Sequence, residues 1–336
     1  MELRPDAPLF WMNGRLAYDL EEISRDPRSL DQPGFWAVST TFEGEWTCAR
    51  FGKVIQAPLP PPFVQWIQLD GGWTSSLSKT QYEKSVSDIR EQIAQGWVYQ
   101  VNACREMTIE VPSQIALLSL MHKVLKENPA PFASYLRLPG MEVVSASPEL
   151  LLRREKNSVT SGPIKGTKHL GTPPFGGKDT AENIMIVDLI RNDLGKICKP
   201  GSVSVPRLLA TEDHPGLSHL VSDISGDLIE DIGWNEIGEA ILPPGSVSGA
   251  PKSAALKTIR QFEPTARGPY CGALGWVEGS RALLSVAIRI FWTKHDGQLH
   301  FGTGAGITWG SDPTQEWIET QLKASRLLSL AGGSVE

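Results

Sequence analysis

Residues 131–162 read PFASYLRLPGMEVVSASPELLLRREKNSVTSG, and they decide the fold class. Apolar and β-branched residues come in short runs, broken at Pro139-Gly140 and again near Asn157. Such a pattern reads as consecutive strands joined by tight turns. Working outward, VYQVNACREMTIEV (98–111), YCGALGWVEG (270–279) and LLSVAIRIFWTK (283–294) each read as a strand. Residues 80–96, 179–197 and about 313–331 instead carry apolar positions at helical spacing. Residues 1 to about 56 mix aromatics with alternating apolar and polar positions, as short antiparallel strands do, and APLPPP (57–62) breaks that pattern and marks a boundary. Strands arriving in hairpin-like runs, and not in strict βαβ alternation, imply an α+β architecture with mostly antiparallel sheets.

Composition bounds the function. With 336 residues, 40% of them hydrophobic and 21% charged, the chain can bury a substantial core. A formal net charge of −6 leaves no basic patch able to neutralise several phosphates, which argues against nucleic acid and for a small substrate. No apolar run approaches the length needed to span a bilayer, and MELRPDAPLF lacks a signal-peptide pattern, so the expectation is no membrane and a cytoplasmic location. The four cysteines, Cys48, Cys104, Cys198 and Cys271, form no CxxC pair, against a disulfide framework or a structural zinc. None lies in the G-x-C-x-G setting of a glutaminase nucleophile. Ammonia, if used, must come from another chain.

Three groups of residues carry chemistry. Asp179 and Glu182, and likewise Glu316 and Glu319, are three apart on helical stretches, so each pair can aim two carboxylates one way. Four such groups around one pocket would repel unless a hard cation such as Mg²⁺ sat among them. The competing reading is helix capping, by Asp179 with Glu182 and by Asp312-Pro313 with Gln315. Lys165, in GPIKGTKHL, is set between Pro163-Ile164 and Gly166-Thr167 where a strand gives way to a loop. A lysine constrained in an apolar setting can become a neutral amine nucleophile, although most isolated lysines are solvated surface charges. The third group is Glu149, His219, Ser246, Arg289 and the GTGAG run 302–306. An arginine inside an apolar strand suggests an acidic ligand for Arg289, whereas His219 reads equally well as a satisfied core histidine. GTGAG does not lead from a strand into a helix, so it is not a dinucleotide fingerprint.

Taken together, YQVNACR, SASPELLLRR, GPIKGT, KDTAENIMIVDLIRNDLGKIC, HLVSDISG, PPGSVSGAPK, YCGALGW, AIRIFW, GTGAGI and QEWIETQLKA resemble the ordered motifs of the chorismate-utilising enzymes. The resemblance runs from about residue 77 to the C-terminus, dividing the chain into a short divergent N-terminal region, 1–76, that contributes strands, and a chorismate-binding catalytic domain, 77–333. It implies a sandwich of two large, mainly antiparallel sheets flanked by helices. It also implies Mg²⁺ bound by Glu182 and Glu319, with Asp179 and Glu316 as supporting acids. Lys323 matches a substrate-contacting lysine, and Tyr270, Arg289 and the amides of Gly304, Ala305 and Gly306 match a carboxylate-binding set. Ser246 and His219 match active-site positions.

Position 165 separates the subfamilies. PIKGT resembles the form in aminodeoxychorismate synthases, whose lysine attacks chorismate at C2, whereas anthranilate synthases and isochorismate-type enzymes carry PIAGT or a close relative. Asn183, in AEN, resembles the same subfamily. Gln100 stands where isochorismate and salicylate synthases have a water-activating lysine, which disfavours hydroxylation. The resemblance therefore implies amination of chorismate at C4 toward 4-aminobenzoate and folate. In that scheme Glu149 protonates the departing hydroxyl, Lys165 forms a covalent intermediate, and a separate glutamine amidotransferase subunit supplies ammonia. The alternative is anthranilate synthase component I. The N-terminal region is shorter than in many relatives, and no clear counterpart of the tryptophan-binding LLES-type motif is present.

Overall fold

Alternate residues of the strands Phe132–Leu138 and Met141–Ser147 are buried in different places. Leu136, Leu138 and Val143 enter one apolar core, while Ala133, Tyr135, Val144 and Ala146 enter another. A sheet with period-two burial on both faces must be covered on both. One face meets a second sheet, through Trp36, Val38, Leu152 and Leu284. The other is covered by the helices Leu117–Glu127 and Pro313–Ala331, through Leu120, Met121, Val124, Leu327 and Leu328. The computed structural model describes residues 4–112, 115–169, 176–214 and 217–335, apart from the side chains of 167–169, 178–179, 213–214 and 217–219.

The described strands form a continuous hydrogen-bonded series that folds back on itself. Its first half runs Leu217–Asp227, Ser158–Gly162, Leu150–Glu155, Arg281–Val286, Ala273–Glu278, Phe35–Thr40, Trp46–Gln56 and Arg15–Ser24. The second half runs Leu9–Met12, Phe132–Leu138, Met141–Ser147, Ile290–Thr293, Gln298–Ile307, Gln100–Glu110 and Leu69–Ser75. All these pairings are antiparallel, and the hairpin of Leu9–Met12 with Arg15–Ser24 links the halves. The α+β sandwich expected from the sequence is therefore present. Residues 1–76 supply strands to both halves and are not set apart from the rest. Among the described residues no helix is long and apolar enough to cross a membrane.

The turn at Pro139-Gly140 falls between strands as expected, but Pro148-Glu149 marks something else. There the chain leaves the second half at Ser147 and enters the first at Leu150. The run 283–294, read as one strand, is likewise two: Arg281–Val286 belongs to the first half and Ile290–Thr293 to the second, with residues 287–289 crossing between them. An apolar run buried throughout shows no change of periodicity where it switches sheets, so the sequence hides the break. The two crossovers lie side by side: Val286 donates its N–H to the Glu149 carbonyl (3.1 Å), Ala146 donates to the Arg289 carbonyl (3.1 Å), and the Ser147 hydroxyl donates to the Val286 carbonyl (2.6 Å).

The glycines of 302–306 are required by close approach. A Cβ on Gly302 would collide with the Tyr270 ring, and one on Gly304 with Cys104. We expect Gly302→Ala to lower stability by about 1–3 kcal/mol through overpacking. Thermal unfolding checks this, and the loss should shrink when Tyr270→Ala is added, because the second change removes the obstacle.

Candidate functional site

Lys165 lies in the strand Ile164–His169, opposite Leu220 of Leu217–Asp227, and the register slips immediately after it, between Lys165 and Thr167. The extra residue is Gly166 at φ +77°, a bulge that glycine adopts without steric cost and that re-aims the neighbouring side chain. The strand thus continues beyond the lysine instead of ending in a loop. The partner strand is held from the helix Gly177–Gly195: buried Asn183 donates Nδ2–H to the Leu220 carbonyl (3.3 Å) and accepts from the Ser222 hydroxyl (2.6 Å).

Lys165 Nζ donates to the Ser246 carbonyl at 3.1 Å, and the Ser246 hydroxyl hydrogen-bonds the Glu149 carboxyl. Glu149 is 4% exposed. Burial pushes its carboxyl up from the usual 4.5 to about 7, against the opposing pull of Ser246 and the Lys165 charge. Burial also lowers the pKa of Lys165, partly offset by Glu149 and Glu182. Low dielectric thus shifts both groups toward their uncharged forms. A carboxyl group and an amine are brought to one place around Ser246.

Glu182, Glu319 and Lys323 all act electrostatically on Lys165, so the two predicted ion-binding helices face the same lysine. Lys323 pairs with Glu319 (2.7 Å) and donates to the Gly304 carbonyl (3.1 Å). Glu316 is buried near Tyr82. Asp312 caps the last helix by accepting from Gln315 N–H (3.0 Å), with Pro313 in its first turn, as expected. The other helix begins at Gly177, so Asp179 falls inside its first turn and not at the residue before it. The side chains of Asp179 and His219 lie outside the described residues. Among the described residues no three His, Cys, Asp or Glu groups cluster as a ready metal cage. Two carboxylates on separate helices, facing one space beside Lys165, still fit a hard cation that takes its remaining ligands from substrate and water.

Arg289 occupies the second crossover with φ +55°, a left-handed conformation unusual for a side chain of its size. Burial lowers its pKa, and among the described residues no carboxylate or hydrogen-bond acceptor meets its guanidinium. The residues beside this crossover are bonded to the segment following Tyr270, through Cys271 N–H to Ala287 O and Ala287 N–H to Gly272 O (both 2.8 Å). Gly304 and Gly306 pair with Cys104 and Asn102, whose free backbone groups point away from them, toward Glu263 and Arg267. The amides of Gly304 and Gly306 therefore face away from that strand, while Ala305, 1% exposed, turns its N–H toward Ala103. Gln100 is fully buried, and among the described residues neither polar atom of its carboxamide has a partner. Sequence reading missed Asn102 and the Glu263–Arg267 pair, for which it held no signal beyond the motif YQVNACR.

Comparison with known proteins identifies the family and the fold. The profile of a family described as chorismate binding enzyme matches residues 5–329, which takes in the N-terminal strands. Anthranilate synthase component 1 of Saccharolobus solfataricus is 36% identical over 273 residues, covering 77% of this chain and 64% of that protein. Aminodeoxychorismate synthase component 1 of Salmonella typhimurium is 33% identical over 285 residues, covering 81% and 61%. The chain thus spans a little under two thirds of the length of these relatives. The crystal structure of anthranilate synthase component I from Streptococcus pneumoniae superimposes with a TM-score of 0.78 at 22% identity, covering 97% of this chain and 91% of that one.

A raised carboxyl pKa has a consequence for stability. The folded chain holds the Glu149 proton more tightly than the unfolded chain, so this contribution is full below about 4.5 and is lost as pH rises to about 7. Replacing Glu149 with Gln should remove it. Denaturant unfolding across pH 4–8 should show the variant gaining about 3 kcal/mol on the wild type through that window. A constant difference would mean that the carboxyl is not desolvated.

Proposed function

The chain belongs to the chorismate-binding enzyme family, and from that premise we propose that it is component I of an aminodeoxychorismate synthase, converting chorismate and ammonia to 4-amino-4-deoxychorismate. The observation that carries this reading is Lys165 beside Glu149, joined through Ser246, with burial favouring the neutral form of each. A neutral amine can attack carbon, and a carboxyl group titrating near 7 can protonate a poor leaving group at physiological pH.

In the proposed sequence Lys165 Nζ bonds to C2 of chorismate, both ring double bonds shift by one position toward C4, and the C4 hydroxyl takes the Glu149 proton and leaves as water. Ammonia then bonds to C4, both double bonds shift back, the C2–Nζ bond breaks with its electron pair returning to the lysine, and the proton shed by the new C4 amine returns to Glu149. The enolpyruvyl group is untouched. Arg289, Tyr270 and the amides about Gly304 to Gly306 would hold substrate carboxylate. Mg²⁺, when bound at Glu182 and Glu319 with Asp179 and Glu316 in support, supplies positive charge for a substrate carboxylate. Gln100, a neutral amide, offers no base to activate water. Ammonia would come from a separate glutamine amidotransferase subunit, and the product would feed 4-aminobenzoate and folate synthesis. A second reading, amination at C2 to give anthranilate, is favoured by the Saccharolobus relative at 36% identity.

Incubation with chorismate, ammonium and Mg²⁺ should give a product that aminodeoxychorismate lyase converts to 4-aminobenzoate. Fluorescent anthranilate in its place would establish the second reading. Without ammonia, peptide mass spectrometry should find the adduct on Lys165, and Lys165→Ala should end 4-amino product formation. Retention of that product at near wild-type rate would defeat the proposal. Glu149→Gln should lower kcat about 10²- to 10⁴-fold, as loss of a general acid does. Glu182→Gln and Glu319→Gln should weaken the response to Mg²⁺ while leaving the thermal midpoint within a few degrees.

A further inference from the structure

We propose that Asn102 is a positioning residue for Lys165 and Glu149, acting through Ser246; this rests on the reading of Lys165 as the nucleophile. The Ser246 carbonyl accepts two N–H groups, from Lys165 Nζ at 3.1 Å and from Asn102 Nδ2 at 3.2 Å. A carbonyl oxygen has two lone pairs, so both donors are accommodated, and together they set its direction. The same residue's hydroxyl meets Glu149. Ser246 therefore touches both members of the pair, and Asn102 holds Ser246.

The local chain cannot hold that direction unaided. Ser246 belongs to a four-residue helix, Gly245–Ser248, whose terminal carbonyls have no partner within so short an element. External donors replace the missing bonds. Arg267, 5% exposed, donates Nη1–H to the Val247 carbonyl and Nη2–H to the Asn102 carbonyl, both at 2.8 Å. Glu263 accepts from Arg267 at 2.7 and 2.6 Å and from Cys104 N–H at 2.9 Å. The strand Gln100–Glu110 and the Ser246 turn are thereby pinned together by a buried ion pair. From that anchor the Asn102 carboxamide, 8% exposed, reaches the carbonyl that Lys165 uses.

The chemical consequence concerns a neutral amine, which has two N–H donors and one lone pair. Donation of one N–H to a fixed acceptor restricts rotation about Cε–Nζ and aims the lone pair. Without Asn102 the carbonyl gains freedom, and the near-attack geometry is populated less often. Binding of substrate, which uses other groups, should change little.

Asn102→Leu keeps the volume and removes the donor, and Asn102→Ser serves if the leucine variant does not fold. In the full chain without substrate, acetylation of Lys165 by acetic anhydride at fixed pH is followed by peptide mass spectrometry, with surface lysines as internal reference. We expect Lys165 to be acetylated about 5-fold more slowly, and kcat for chorismate amination to fall about 10- to 100-fold with KM within about 2-fold. Asn102→Gln, which retains a carboxamide, should recover part of both. A folded variant with wild-type acetylation and wild-type kcat overturns the proposal, as does a loss of kcat that follows only the thermal midpoint. The acetylation does not depend on chorismate. If the wild type fails to aminate chorismate while the variants still slow labelling, the functional reading falls and the positioning role stands; amination with unchanged labelling has the opposite meaning.

Discussion

Two strand-to-strand crossovers packed against each other, at Pro148-Glu149 and at residues 287–289, are the constraint on which the rest of the molecule depends. Each carries the chain from one half of the sheet series to the other, and each donates or accepts backbone hydrogen bonds with the strand ends of its neighbour. A buried backbone group left unpaired costs about as much as a lost hydrogen bond. The two breaks can therefore exist inside the core because they satisfy one another. What emerges from them is a carboxylate in one case and a guanidinium in the other.

That placement explains the electrostatics. Strand interiors exclude water, so Glu149 and Arg289 are both desolvated and both have pKa values shifted toward their neutral forms. Glu149 has Ser246 and Lys165 for company. Arg289 meets no acid among the described residues, which is the feature that supports the proposed binding of an anion there. The guanidinium and the carboxyl group are thus set apart on two adjoining crossovers, with the bulge at Gly166 beside the amine on the carboxyl side.

Around this centre the remaining groups arrive from elements far apart in sequence. Glu182 and Asn183 come from one helix, Glu319 and Lys323 from another, and Asn102 from a central strand. The glycines 302, 304 and 306 let that assembly close, because side chains there would occupy the space of Tyr270, Cys104 and Gln100. Their role is as much to admit neighbours as to present amides. The helix that carries Glu182 begins before Asp179, at Gly177.

The sequence by itself determined the fold class, the helices at 79–94 and 313–331 and the turn at Pro139-Gly140, because period and turn chemistry are local properties that survive in one dimension. It also singled out Lys165, Glu149 and Ser246 as residue types in suggestive settings, but placed Lys165 at a strand end where the structure has a bulge. Only the tertiary structure decided that these three touch, since their contact spans Ile164–His169, a crossover and a four-residue helix with no common periodicity. The split of 283–294 into two strands and the amide direction of Gly304 and Gly306 were equally beyond one-dimensional reading. Each depends on which strand lies alongside, and an apolar run buried on every side carries no mark of its neighbours.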